Sequence, residues 1–373
     1  MLFLVVAGAR PNFIKVAPIL EAFASRRCVH NGFEVRLVHT GQHYDRAMSD
    51  DFFRDLGIPE PDVNLGVGSG SHAEQTARVM VGFEKVCAEY RPDWVIVVGD
   101  VNSTMACAIA AKKLGIRVAH VEAGLRSGDM SMPEEINRVC TDPISDLLFV
   151  TDRIAADNLR REGVDVNRVH FVGNTMIDTL QRNLQRALCT SLPEGLEVHQ
   201  YGVVTIHRPA NVDSPVKLAA ICESLLEIAE MLPLVFPVHP RTKAQLSAAG
   251  LLHKLLDAPV RLIEPLSYLP FLGLVARSKL VLTDSGGIQE ETTILGVPCV
   301  TVRPNTERPI TCIEGTNVLT GTAPAEIKEA VIVALDRKSK GQHSIPEKWD
   351  GRAAERIVDT LLRAGNSALC GTA

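Results

Sequence analysis

Short apolar segments rich in valine and isoleucine alternate along the chain with longer segments whose apolar residues recur at helical period. This alternation predicts βαβ units and a parallel sheet. The pattern runs twice. In the first half it predicts strands at Phe3 to Val6, Glu34 to His39, Trp94 to Val98, Arg117 to Val121 and Leu147 to Val150, with helical spacing over Ala73 to Glu89 and Ser103 to Leu114. In the second half it predicts strands at Tyr201 to Ile206, Leu234 to Val238, Arg261 to Ile263, Leu280 to Thr283 and Cys299 to Val302. The connectors Pro215 to Met231, Tyr268 to Ala276, Gly286 to Leu295 and Ala325 to Asp336 read as helices, and Gly351 to Ala364 as a closing amphipathic helix. The break between the halves falls in 173–191. The expected class is therefore α/β, two Rossmann-like doubly wound domains over 1–172 and 173–350, with 351–373 packing back. Two such sheets joined by a linker imply a central cleft, and ligands bind beyond the carboxyl ends of the strands.

Composition narrows the function classes. The 373 residues are 46% hydrophobic and 22% charged, enough for each half to bury its own core. A net charge of -5 argues against a nucleic-acid partner. Apolar runs such as Met1 to Ala7 are too short to span a bilayer, so no membrane partner is expected. The opening Leu2-Phe3-Leu4-Val5-Val6 reads as a strand and not as a signal peptide. Nine cysteines without paired spacing fit a reduced cytoplasmic protein with mostly buried, inert thiols.

The candidate chemistry lies at the predicted strand ends. After the first strand, Gly8-Ala9-Arg10-Pro11-Asn12-Phe13-Ile14-Lys15 opens a helix with two cations suited to a diphosphate, or to plain solvation. It is not a GxGxxG loop, so no dinucleotide cofactor is expected. Asp100 ends the third strand, and Asn102 or Ser103 is expected to cap the next helix, leaving Asp100 free. Glu122 ends the neighbouring strand, and Glu134 and Glu135 open another helix, where a dipole role accounts for Glu135. Carboxylates crowding one sheet edge suit acid–base work.

In the second half a strand ends in Ile206-His207-Arg208-Pro209, where a cleft-facing histidine is a catalytic candidate; His239-Pro240 carries less weight. Another strand runs into a helix through Asp284-Ser285-Gly286-Gly287, where glycines let phosphate oxygens approach backbone N–H groups. Arg308, in Thr306-Glu307-Arg308-Pro309, is able to hold a phosphate in bidentate fashion.

Together with Thr40-Gly41-Gln42-His43, His120-Val121-Glu122-Ala123-Gly124-Leu125-Arg126, Pro133-Glu134-Glu135-Ile136-Asn137-Arg138, Gly173-Asn174-Thr175 and Gly287-Ile288-Gln289-Glu290-Glu291, these segments run through nearly the whole chain. In that order and spacing the chain resembles the non-hydrolysing UDP-N-acetylglucosamine 2-epimerases. The resemblance implies a GT-B-like pair of Rossmann domains, with the last helix returning to the first. It implies a cytoplasmic homodimeric isomerase of polysaccharide biosynthesis that takes a UDP-sugar and needs neither cofactor nor metal. The implied reaction interconverts UDP-N-acetylglucosamine and UDP-N-acetylmannosamine through a 2-acetamidoglucal.

Carried over by position, Asp100, Glu122, Glu134 and His207 are the implied catalytic residues. Arg10 and Lys15 are the implied diphosphate-side cations, Ser285, Gly286 and Gly287 the phosphate loop, and Arg308 a further phosphate contact. Glu291 is the implied ribose acceptor and Phe271 the uracil-packing aromatic, although Phe271 also reads as core. The chain departs from the commonest pattern where Pro209 and Ala210 follow His207-Arg208, and in the short stretch from Arg126 to Pro133. In some members these regions bind a second, activating substrate molecule. The alternatives are a hydrolysing epimerase, an epimerase for a related UDP-2-acetamido sugar, a glycosyltransferase of the same fold and a sugar-nucleotide sensor.

Overall fold

The computed structural model describes residues 1–28, 32–41 and 54–370, without the side chains of Arg10 and of 366–370. Gln42 and His43, named above, lie outside the described residues. The chain divides into two compact units, Met1–Arg182 with Glu347–Ala373, and Asn183–Pro346.

In the first unit seven strands form one parallel sheet: β1 (Leu2–Ala7), β2 (Glu34–His39), β3 (Val63–Asn64), β4 (Trp94–Val98), β5 (Arg117–Ala123), β6 (Leu147–Val150) and β7 (Val169–Phe171). Their order is β3-β2-β1-β4-β5-β6-β7, the doubly wound arrangement. Both faces are covered, which explains the unbroken apolar runs. Phe3, Val5 and Ala7 enter one cluster with Trp94, Ile96, Ala119 and Phe149, whereas Leu4 and Val6 enter the other with Val95, Val97 and Val118.

The second unit repeats the plan with β8 (Gly202–Thr205), β9 (Leu234–Pro237), β10 (Val260–Ile263), β11 (Leu280–Thr283), β12 (Cys299–Val302) and β13 (Asn317–Thr320). Their order is β10-β9-β8-β11-β12-β13. Val204, Phe236, Leu282 and Val300 fill one face, and Val203, Val235 and Val281 the other. Three strands, β3, β7 and β13, have no counterpart among the predicted ones. Each lies at or beside a sheet edge and has no apolar run of its own. Of the eight cysteines whose side chains are described, Cys87, Cys107, Cys222 and Cys299 are buried, but Cys28, Cys140 and Cys189 are exposed, correcting the expectation of mostly buried thiols. Among the described residues no helix is long and apolar enough to cross a membrane.

The last helix, Ala353–Cys370, belongs to the first unit. Ala354, Ile357, Val358 and Leu361 pack into the cluster of Phe3, Phe13 and Phe23, and Arg26 grips Asp359 at 2.8 Å. Its first N–H groups, on Ala353 and Ala354, donate to the carboxylate of Asp178 at 3.1 and 2.7 Å, so an acid from another helix supplies the cap. Burial pushes the Asp178 carboxyl up to about 6 against the pull of those two N–H groups. A folded-state value above the ordinary 3.8 means that the folded chain holds this proton more tightly than the unfolded chain. The associated stability is complete below about pH 4 and is lost as pH rises through 6. Denaturant unfolding at pH 4.5 and 7.5 should therefore find unaltered protein losing about 2 kcal/mol relative to Asp178→Asn over that interval.

Candidate active site

Parallel pairing puts the carboxyl ends of β4 and β5 side by side, with Val98 opposite Val121. The chain leaves β4 through Gly99 at φ +70, and a Cβ there would stand 3.2 Å from Lys15 Nζ and 3.4 Å from Asn12 Nδ2. Glycine takes this turn without strain, and its missing Cβ leaves room for the side chains of the helix Arg10–Arg27. Asn12 braces that helix start, accepting from the N–H groups of Gly8 and Ala9 and donating to the Val98 carbonyl at 2.7 Å.

Lys15 is buried and its ammonium pairs with the equally buried Glu122. Glu122 has φ +71, in the left-handed region, where β5 slips register against β6 between Val121 and Ala123. A backbone held in this sparsely populated conformation is strained, of the kind that clusters at functional sites. The resemblance assigns Lys15 to a diphosphate; in the structure its charge is engaged by Glu122. Arg10 stands on the first turn of the same helix, and its side chain lies outside the described residues.

Asp100 is not free. Arg138, whose side chain is only 1% exposed, binds Asp100 Oδ2 at 2.5 Å and Glu135 Oε2 at 2.6 Å. Neither expected cap forms: Val101 takes the N-cap position of Asn102–Lys113 without a side-chain bond. Asn102 instead donates to Gln75, and Ser103 shares a 2.7 Å hydrogen bond with Thr40. Glu135 stands in the first turn of its helix, as expected for a dipole partner, and is engaged beyond it as well. Burial raises its carboxyl, but the backbone N–H groups of Ser127 and Gly128, together with Arg138, hold it below its ordinary value. Glu134, one residue earlier on Pro133–Ile144, remains half-buried. Cations are thus interleaved among the crowded acids, an arrangement invisible while the acids were considered singly.

In the second unit β8 and β11 pair with Thr205 opposite Thr283, which brings His207 and the 284–287 turn to one edge. The fully buried Asp284 accepts from the backbone N–H groups of His207 and Arg208 and from Asn211 Nδ2. Its Oδ1 lies 3.1 Å from His207 Nδ1, fixing the orientation of a ring whose side chain is 43% exposed. Burial raises Asp284, yet the contacts from His207 and Arg208 bring it below the usual carboxylate range.

The turn carries Ser285, Gly286 and Gly287 into the helix Gly286–Leu295, whose start has no side-chain cap, leaving its first N–H groups suited to an anion. A Cβ on Gly286 would stand 2.7 Å from Arg308 Nη1 and 2.6 Å from Glu307 Oε1. Arg308 is buried, binding Glu307 at 2.5 Å and Glu290 at 2.9 Å, while Arg303 takes the other Glu307 oxygen at 2.8 Å. Glu307 falls far below its ordinary range: burial opposes ionisation, but Arg308, Arg303 and Arg208 outweigh it. Burial, with the charge of Glu290 added, pushes Glu291 up to about 7 against the Tyr268 hydroxyl. Phe271 packs, half-buried, on the cluster of Tyr201, Val203 and Leu274. Among the described residues no three His, Cys, Asp or Glu side chains gather closely enough to hold a metal ion.

The model of the family "UDP-N-acetylglucosamine 2-epimerase" matches residues 26–362. The chain belongs to that family. It is 42% identical to the UDP-N-acetylglucosamine 2-epimerase of Methanocaldococcus jannaschii over 368 residues, 96% of this chain and 98% of that one. It is likewise 42% identical to the UDP-2,3-diacetamido-2,3-dideoxy-D-glucuronate 2-epimerase of Pseudomonas aeruginosa, over 97% of this chain and 100% of that one. The crystal structure of the M. jannaschii enzyme in complex with UDP-GlcNAc and UDP superposes with a TM-score of 0.87, covering 97% of this chain and 100% of that one. Family membership supports epimerase activity on a nucleotide sugar, the coarser part of the expectation drawn from the residues.

Sequence reasoning passed over two charged residues that engage these strand ends, Asp284 and Arg138. Signals existed for both: Asp284 follows an apolar strand as Asp100 does, and Arg138 stands three residues beyond Glu135, the spacing of a helical ion pair. The buried Lys15–Glu122 pair yields a direct test. Lys15→Met removes the cation from a buried acid and should cost about 3 kcal/mol or more in denaturant unfolding. The double variant Lys15→Met/Glu122→Gln should recover most of that loss, because the uncompensated charge is then gone.

Proposed function

We propose that this chain interconverts UDP-N-acetylglucosamine and UDP-N-acetylmannosamine by eliminating UDP and adding it back without releasing free sugar. The observation that carries the reading is the acid set Asp100, Glu122 and Glu134 around neighbouring strand ends, in a chain of this family. A glycosyltransferase or a sensor of the same fold has no need of three acids beside the sugar.

The C2 hydrogen is weakly acidic, so its removal must accompany departure of the diphosphate. A carboxylate takes the proton, the C2–H electron pair becomes the C1–C2 double bond, and the C1–O pair leaves with UDP. The product is a 2-acetamidoglucal. Return of a proton to the opposite face of C2, with the UDP oxygen rejoining C1, completes the inversion and balances every atom. Two faces require two proton-transferring groups, and the first unit offers three carboxyls. The departing charge calls for donors already in place. The reading assigns this task to His207, oriented by Asp284, to the N–H groups of the 285–287 turn and to Arg10. In this reading Lys15 acts through Glu122, Arg308 braces the phosphate turn at Gly286, Phe271 meets the uracil and Glu291 accepts from the ribose hydroxyls. Keeping the glycal from bulk water separates this course from hydrolysis. A cytoplasmic homodimer supplying polysaccharide precursors is the setting that fits.

The P. aeruginosa relative, equally similar, favours a second reading, in which the preferred sugar carries further substituents at C3 and C6.

Incubating UDP-N-acetylglucosamine with the protein in deuterated water, followed by proton and phosphorus NMR, separates these courses. The expected result is C2 deuteration with the diphosphate attached at equilibrium, slowed strongly in Asp100→Asn, Glu122→Gln and Glu134→Gln. Free N-acetylmannosamine and UDP as the products would mean hydrolysis. Exchange confined to the diacetamido-glucuronate substrate would select the second reading, and no exchange with either sugar would dismiss both. Glu291 adds a pH signature. A ribose acceptor works best ionised, so UDP affinity should rise between pH 6.5 and 8 as the carboxyl passes its value of about 7, and Glu291→Gln should flatten that rise in calorimetric titration.

A further inference from the structure

We propose that His120 and Asp142 form a positioning pair that holds the three acid-bearing elements of the first unit in register for proton transfer at C2. The inference rests on the epimerase reading given above, which makes those acids the reacting groups. Both side chains are fully buried, with His120 Nδ1 at 2.6 Å from Asp142 Oδ1. A buried pair of this kind is weak as a stabilising device, since an apolar pair of similar volume serves a core equally well or better. Its remaining contacts explain its presence.

His120 Nε2 meets the carbonyl oxygen of Gly99 at 2.8 Å, immediately before Asp100. The other Asp142 oxygen accepts from the N–H of Gly124 at 3.1 Å, two residues beyond Glu122, and from Arg126 Nη2 at 2.7 Å. Asp142 itself belongs to Pro133–Ile144, the helix that carries Glu134. One imidazole–carboxylate contact therefore ties together the end of β4 with Asp100, the end of β5 with Glu122, and the helix of Glu134. Asn137 and Arg138 of that helix reinforce the link, donating to the Asp100 carbonyl at 2.8 Å and carboxylate at 2.5 Å. The strained left-handed backbone at Glu122 stands between His120 and Gly124, the two points at which the pair grips β5 and its exit. Neither His120 nor Asp142 is assigned contact with substrate; they act through the acids they place.

The test compares His120→Gln and Asp142→Asn with unaltered protein in the deuterium-exchange assay. Displacing the acids slightly should slow C2 exchange about a hundredfold while KM for the UDP-sugar and the dissociation constant of UDP stay within about threefold. A general loss of folding would lower bound UDP and exchange together. Proton NMR of unaltered protein supplies a measurement independent of variant folding: a strongly downfield ring N–H resonance, slow to exchange with water and absent from both variants. Exchange retained at the unaltered rate in both variants overturns the positioning role alone, as does absence of that resonance from unaltered protein. If unaltered protein does not exchange C2 with any UDP-2-acetamido sugar, the epimerase reading falls and takes this inference with it.

Discussion

Charge brought to the ends of a doubly covered parallel sheet must be matched by opposite charge, and this constraint shapes both units. Sheets with two apolar faces leave the strand ends as the place for polar chemistry, yet those ends are themselves largely buried. Lys15 answers Glu122, Arg138 answers Asp100 and Glu135, and His120 answers Asp142. An unmatched ion at any of these positions would weaken the fold by several kcal/mol. Placement of the acids and stability of the unit are consequently not separable.

The two units meet the constraint differently. In the first, Lys15–Glu122, Arg138–Asp100 and His120–Asp142 each join different elements, so these ions also serve as struts between strand ends and helices. In the second, Arg303, Arg308, Glu307 and Glu290 form a local network against the turn at Gly286, while Asp284 uses backbone N–H groups and one imidazole. The first arrangement suits the proposed proton transfer, which needs acids at fixed mutual distances. The second leaves the first N–H groups of Gly286–Leu295 without a side-chain cap, as the proposed diphosphate site would need.

Most of the architecture was legible because the core strands are apolar on both faces and their ends are punctuated by glycine, proline and small polar residues. Leu147–Val150, Leu280–Thr283 and Cys299–Val302 coincide with their predicted bounds for that reason. The edge strands were not legible: Val169-His170-Phe171 and Asn317-Val318-Leu319-Thr320 owe their pairing to a neighbour, not to a pattern of their own. Asp100, Glu122 and His207 do stand at or just beyond strand ends, as the pattern placed them. The pattern could not find the partners, because Lys15 with Glu122 and Arg138 with Asp100 are far apart in sequence and meet only once the sheet is assembled. Local rules misled at Asn102 and Ser103, where tertiary hydrogen bonds replaced capping contacts.

The left-handed backbone at Glu122 bears on how this position can vary. Glycine would ease the conformation but abolish the acid, and a β-branched residue would worsen the strain without supplying one. Aspartate tolerates the geometry better, yet its shorter reach would draw the carboxylate away from the lysine beneath it. Conformational comfort and chemistry therefore pull this residue in opposite directions, leaving glutamate a narrow compromise that neighbouring contacts must continually enforce.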